Sequence, residues 1–308
     1  VLVLDRRDVR HLRGPGGLLM RRIVRWVDGA GRVSVGVEVD NEGHFRRLSG
    51  IEDPMPFLRG EMFSPEGRPV TPADPYSLEL GDGLTLITPL DPPEVWCAGV
   101  TYERSRDARV EESAVRDVYD LVYEAHRPEL FLKDAASRRT VGPGEPIGIR
   151  GDSTWNVPEP EIGVVVGERG KILAYTIGND VSSREIEGAN PLYLTQAKVY
   201  AGACAIGPAL YIPPREPQGF QIIMRISNEE GDVLYEDKTS TTYMVRTFDE
   251  LAAWLVKENP VPPGSVLLTG TGLVPPDSFS MVPGNWVEIH VPEIGTLVNP
   301  VALATTLL

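Results

Sequence analysis

The chain has 308 residues, 42% of them hydrophobic and 24% charged, with 30 Lys+Arg against 44 Asp+Glu for a formal net charge of −14. This is the make-up of an ordinary soluble globular protein with room for one large or two modest domains, and the acidic balance argues against nucleic acid or an anionic membrane as partner. No apolar run approaches the ~20 residues of a membrane span. Cys97 and Cys204 are too far apart in sequence to suggest a disulfide framework or zinc knuckle, which suits a reducing, cytoplasmic setting.

Residues 1–19 look foreign to the rest of the chain: four arginines and the run Gly14-Pro-Gly-Gly17 succeed a short alternation in Val1–Leu4. An upstream extension or poorly packed arm is expected, with no apolar core of a signal peptide. From Arg32 to Asp40, Val33, Val35, Val37 and Val39 alternate, which predicts a half-buried strand. Alternating segments continue to residue 90, so residues 20–90 read as a small β-rich N-terminal domain. The Pro-rich stretch Leu90–Glu94 marks its boundary with residues 91–308.

Residues 105–127 give the clearest helical period. Val110, Ala114, Val118, Leu121, Val122 and Ala125 recur at spacings of three and four, and Pro128 stops the run. Lying between two candidate site segments, this helix is a candidate lid. Thr247-Phe-Asp-Glu250 is a capping box that predicts a second helix running to Asn259-Pro260. Strands are expected near 161–166, 171–178, 220–227, 232–236, 265–269 and 286–291. They show no regular βαβ alternation, so the fold class is α+β and β-rich, with mixed or antiparallel sheets.

Chemistry concentrates at Pro158-Glu159-Pro160-Glu161, which opens a very apolar strand. Residues i and i+2 of an extended chain point the same way, so two carboxylates project together, and they repel unless a cation or shared proton lies between them. The turn 167–170 invites a hairpin whose partner numbers sum to about 338. That register sets Glu159 opposite about Asn179, next to Asp180, and three carboxylates converge. The residues leave two readings, a solvated acidic strand end or an all-oxygen site for Mg²⁺, Mn²⁺ or Ca²⁺; the hairpin favours the second.

Other residues are more open. Lys198 precedes the small residues Ala201-Gly-Ala203, so it is either a desolvated base or a surface lysine. Glu129, Phe131 and Lys133 alternate on one strand face, as a site wall or an exposed cross-pair. Thr269-Gly-Thr-Gly272 is a Gly-rich strand exit without the lysine of a phosphate loop. The four histidines, His11, His44, His126 and His290, are scattered, so a His-based metal site or a Ser-His-Asp triad has little basis; His126 and His290 read as structural.

Several motifs then stack in order: Gly99-Val-Thr-Tyr102, Phe131-Leu-Lys133, Pro158-Glu-Pro-Glu161, Gly178-Asn-Asp-Val-Ser-Ser-Arg184, Lys198 with Gly207-Pro208, Pro263-Gly264 with Thr269-Gly-Thr271, and Gly295 to Val301. In this set, spanning residues 91–301, the chain resembles the fumarylacetoacetate hydrolase superfamily. The resemblance implies a mixed β-sandwich roll, a homodimer or homotetramer, and Mg²⁺ (or Mn²⁺ or Ca²⁺) held by Glu159, Glu161 and Asp180. Hydrolases of the superfamily carry a water-activating His three residues after the motif tyrosine. Here that position is Ser105, and an aspartate common three residues after the lysine is Ala201.

The branch that shares these departures acts on 2-keto-3-deoxy sugar acids. The chain is similar to it at Asp91 to Trp96, Tyr102-Glu103, Arg127-Pro-Glu129, Trp155, Glu187 to Leu194 and Lys198 to Gly202. That resemblance implies metal-dependent dehydration of a 2-keto-3-deoxy pentonate to 2,5-dioxopentanoate, a small-molecule 2-keto acid being the only partner besides the oligomer. Glu129 and Lys198 would be the acid–base pair, and Lys133, Glu187 and Thr271 would bind substrate. The alternative is a hydrolase or decarboxylase of acylpyruvate-type diketo acids.

Overall fold

The computed structural model describes residues 22–40, 43–72, 79–81, 83–112 and 122–308. The expected arm 1–19 lies outside them. Ten strands line up in one main sheet, in the order Pro65–Val70, Phe45–Leu48, Val33–Glu38, Arg22–Val27, Cys204–Tyr211, Ile172–Asp180, Pro160–Val166, Ser265–Leu268, Glu94–Gly99 and Glu129–Ala135. Thr85–Ile87 and Thr140–Val141 add to its side. A second sheet has five strands, Val233–Ser240, Gln221–Ser227, Trp286–Val291, Gly295–Leu303 and Ile147–Ile149. Most pairings are antiparallel, with parallel contacts where Ser265–Leu268 meets Glu94–Gly99 and Gly295–Leu303 meets Ile147–Ile149. The sheets are mixed and helices few, as the sequence predicts.

The strand Pro160–Val166 carries Glu161 through the middle of the main sheet. All seven of its residues are buried, as expected of a central strand covered on both faces. It is held by Ile172–Asp180 on one side and Ser265–Leu268 on the other. Ile162, Val164 and Val166, with Ile177, Leu267 and Ile289, belong to the main core, and Val165 packs into a second core cluster on the other face.

Several boundaries differ from expectation. Val33–Glu38 is buried over Val35–Glu38 rather than on one face alone. Glu38 is buried because Arg22 Nη2 meets its carboxylate at 2.5 Å. The capping box is real, Thr247 Oγ1 accepting from the Glu250 N–H at 3.1 Å, yet the helix stops at Leu255. Beyond it Glu258 adopts a positive φ of 59°, and the Asn259 side chain donates back to the Leu255 carbonyl. The helix expected over 105–127 is present as Glu103–Glu112 and again at 122–124; residues 113–121 lie outside the described residues. The strands Glu94–Gly99, Cys204–Tyr211 and Gly295–Leu303 are not among those expected; Cys204–Tyr211 and most of Gly295–Leu303 are buried on both faces, so no alternation advertises them. Both thiols, and His126 and His290, pack against the fold's own side chains. Cys97 and Cys204 are fully buried, and burial pushes the Cys204 thiol up to about 12. His126 packs edge-on against Trp254, and His290 Nδ1 lies 2.9 Å from the Thr296 hydroxyl.

The loop after Glu129–Ala135 is organised by one buried carboxylate. Asp134 accepts from the Arg139 and Thr140 N–H groups, each at 2.9 Å, from the Thr140 hydroxyl at 2.8 Å, and from the Arg139 guanidinium at 3.1 Å. Asp134→Ala strands these donors and is expected to cost about 3 kcal/mol. Urea unfolding measures it, and a loss under about 0.5 kcal/mol would show that the loop is held by other contacts.

Candidate active site

The hairpin exists, with a register one residue from the expected one. Pro160 pairs with Asn179 and Glu161 with Gly178, and the Asp180 N–H donates to the Glu159 carbonyl at 2.9 Å. Glu159 therefore faces Asp180 directly. Opposed residues of an antiparallel pair share a face, and Glu161 is Asp180's diagonal neighbour on it. One oxygen from each of Glu159, Glu161 and Asp180 lies within 4.8 Å of the others, and all three residues are buried.

Three cations stand against this acid cluster. Lys198 ends the short helix Leu194–Lys198 and is buried. Its Nζ donates to Glu159 at 2.7 Å, Asp180 at 3.0 Å and the Ser182 hydroxyl at 2.5 Å. Arg184, the first residue of the helix Arg184–Ala189, places Nη2 3.0 Å from the other Glu159 oxygen. Lys133 Nζ is ion-paired with Asp180 and donates to the Val181 carbonyl at 2.9 Å.

Around a small cavity of about 10 Å³, the space of one water, stand Glu129, Glu159, Glu161, Asp180 and Glu187. Lys133, Arg184 and Lys198 offset part of this negative charge. Burial pushes the Glu161 carboxyl well above its ordinary range, and Asp180 and Glu159 push it further. An all-oxygen set this crowded fits a hard divalent cation, which would relieve the repulsion.

The remaining wall comes from strand exits. Gly270, at φ +94°, turns its N–H onto Glu161 Oε2 at 2.5 Å; a side chain at that position would collide with the Thr101 hydroxyl and stand 3.0 Å from the Ala98 carbonyl. Thr271, Phe131 and Ser105 also line the cavity. Lys198 Nζ lies 5.7 Å from the Phe131 ring centroid, a cation–π contact.

The structure thus brings together Glu129, Glu159, Glu161, Asp180, Glu187, Lys198 and Thr271 around one cavity. Lys133 is placed behind Asp180 rather than in the cavity wall, and Lys198 is no surface lysine. Sequence reasoning gave no role to Arg184, Ser182, Gly99 or the Gly270 N–H. Each lies within one of the quoted motifs, and Arg184 stands out there as the cation closing the Asp180-Val-Ser-Ser-Arg184 run.

Sheets, strand exits and acid cluster together define a mixed-sheet enzyme fold with a candidate hard-cation site at its centre. The family model described as fumarylacetoacetate (FAA) hydrolase C-terminal matches residues 94–302, and the chain belongs to that family. A Haloferax volcanii protein named "Probable 2-keto-3-deoxyxylonate dehydratase" is 52% identical over 215 residues, 69% of this chain and 73% of that one. The 2-dehydro-3-deoxy-D-arabinonate dehydratase of Saccharolobus solfataricus is 42% identical over 231 residues, 73% of this chain and 76% of that one. A solved structure of 2-keto-3-deoxy-D-arabinonate dehydratase complexed with magnesium and 2,5-dioxopentanoate is similar at a TM-score of 0.78 and 36% identity, covering 92% of this chain and 99% of that one. No helix among the described residues is long and apolar enough to cross a membrane.

Proposed function

We propose that the chain is a hydro-lyase that dehydrates a 2-keto-3-deoxy pentonate to 2,5-dioxopentanoate, using Mg²⁺ at Glu159, Glu161 and Asp180. The observation that carries this reading is the buried acid triad with Lys198 and Glu129 on the same cavity. The named dehydratase relatives support it. A bound divalent ion would supply Lewis acidity toward the carboxylate and keto oxygens of a 2-keto acid, acidifying its C3 proton.

The chain's own groups supply the proton traffic. One of Lys198 and Glu129 takes a C3 proton, and the other protonates the C4 hydroxyl as it leaves, so the elements of one water are lost. Transfer of a C5 proton to C3 and ketonisation at C5 then give the aldehyde. Glu187 Oε2, 4.0 Å from Lys198 Nζ, and the Thr271 hydroxyl are assigned to the substrate's polar groups. Lys133 is assigned to holding Asp180. No step needs an activated water, which is consistent with Ser105 standing where the hydrolases carry a histidine.

The family match beginning at residue 94 supports the division at 90/91. A cytoplasmic homodimer or homotetramer belongs to the same proposal.

The test is an assay of the purified protein with Mg²⁺. Aldehyde from 2-keto-3-deoxy-pentonate is the expected result; pyruvate from an acylpyruvate, with no aldehyde, would instead establish the hydrolase alternative. Glu129→Gln is expected to lower kcat by about 10²-fold or more. A change of only a few-fold would remove Glu129 from the chemistry.

A further inference from the structure

Glu129 sits at the start of Glu129–Ala135, and its partner across the ladder is Gly99, the last residue of Glu94–Gly99. A Cβ built on Gly99 would stand 2.6 Å from Glu129 Cδ and 3.3 Å from Cγ, with Oε2 nearer still. The end of the Glu129 side chain therefore occupies the space that a side chain at Gly99 would take, and both residues line the cavity.

The chain beyond Gly99 fixes that seat in space. Val100, β-branched and buried, adopts φ 53°, a left-handed conformation that strains a residue of this shape. Such a conformation persists only where its surroundings over-determine it. Here Thr101 does so: its hydroxyl donates to the Thr269 carbonyl at 2.7 Å, and its carbonyl accepts from the Val245 N–H at 3.0 Å. That hydroxyl also fills the space beside Gly270, whose N–H holds Glu161. One strained turn thus ties the seat of Glu129 to the acid triad.

We infer that Gly99 is a positioning residue, its missing side chain being the seat that sets the Glu129 carboxylate in the cavity at a fixed distance from the metal-binding carboxylates. The inference rests on the reading of Glu129 as an acid–base group. Gly99→Ala fills the seat and turns the carboxylate away. A positioned acid or base contributes about 10²–10⁴-fold, so kcat is expected to fall about 10²-fold with KM within about three-fold.

The decisive experiment is a cycle with Glu129→Ala, which removes the colliding atoms and lets an alanine at 99 fit. Gly99→Ala should lower kcat and Tm in the native background. In the Glu129→Ala background it should change kcat less than about two-fold and leave Tm unaltered. Magnesium affinity, read by calorimetry, should stay within about three-fold throughout, because the triad is carried by other strands. Equal losses of kcat in both backgrounds, or a Gly99→Ala enzyme of native kcat, would overturn the inference while leaving Glu129's role intact. A Glu129→Ala enzyme of native kcat would overturn the role of Glu129 and this inference with it, and that single variant separates the two failures.

Discussion

Magnesium affinity is expected to fall more than about 100-fold in Glu161→Gln, and dehydration should be lost with it. Replacing a group one shell further out already costs about 10–100-fold in metal affinity, and Glu161 is one of three direct candidates. The same substitution acts oppositely on the metal-free protein. Burial, Asp180 and Glu159 all push the Glu161 carboxyl upward, so its charged form is a liability in the folded state without an ion.

The pH dependence comes from that direction. Between the ordinary carboxyl value of 4.5 and the raised folded value, the folded protein binds more proton than the unfolded chain. Stability of the metal-free protein therefore declines as pH rises through this window, by at most about 1.4 kcal/mol per pH unit for one proton. Glutamine carries no proton to lose, so Glu161→Gln in EDTA should be the more stable protein and should show a flatter Tm–pH curve. Added magnesium should raise the native Tm and leave that of the variant nearly unmoved. A native Tm insensitive to magnesium at every pH would remove the metal site from these three carboxylates.

The acid triad was legible in the sequence because it depends on local rules. Glu159 and Glu161 share a face by strand period, and a tight turn near 169 brings Asp180 beside them. A register error of one residue changed which residue lies opposite Glu159 without dispersing the cluster, because Asn179 and Asp180 are adjacent. The helix 248–255 was likewise written in its capping box, but its end depended on Glu258 adopting a positive φ, which no pattern announces.

Long-range contacts were not legible. Lys198 lies 39 residues from Glu159, and taken alone it reads better as a surface lysine; only the packing of Leu194–Lys198 over the hairpin buries its ammonium. Lys133 sits on the expected face of its strand, yet the distance from that strand to Asp180 decides that it meets a carboxylate from behind. Strands buried on both faces, Cys204–Tyr211 above all, carry no alternation to read. The family resemblance ordered the motifs correctly, but it could not show that Gly99 is small because Glu129 lies on it.

Lys198→Met separates two roles that one ammonium combines. Its Nζ binds Glu159 and Asp180, two of the three carboxylates that would hold a divalent ion, and it is also a candidate to move the substrate's proton. Methionine keeps length and apolar stem but supplies neither charge nor proton. In EDTA the variant should be destabilised by about 3–5 kcal/mol, the usual consequence of removing one partner from a buried ionic cluster. Magnesium should then bind more tightly than to the native protein, by about ten-fold or more, because one cation no longer opposes another at the same oxygens, and it should restore most of the lost Tm. Activity should not recover: kcat stays about 10²–10⁴-fold down at saturating magnesium. If affinity for magnesium instead collapsed together with kcat, the lysine would be an organiser of the triad and its proposed part in proton transfer would fall. Tighter metal with no turnover would show that the lysine acts in the reaction itself and not by organising the triad.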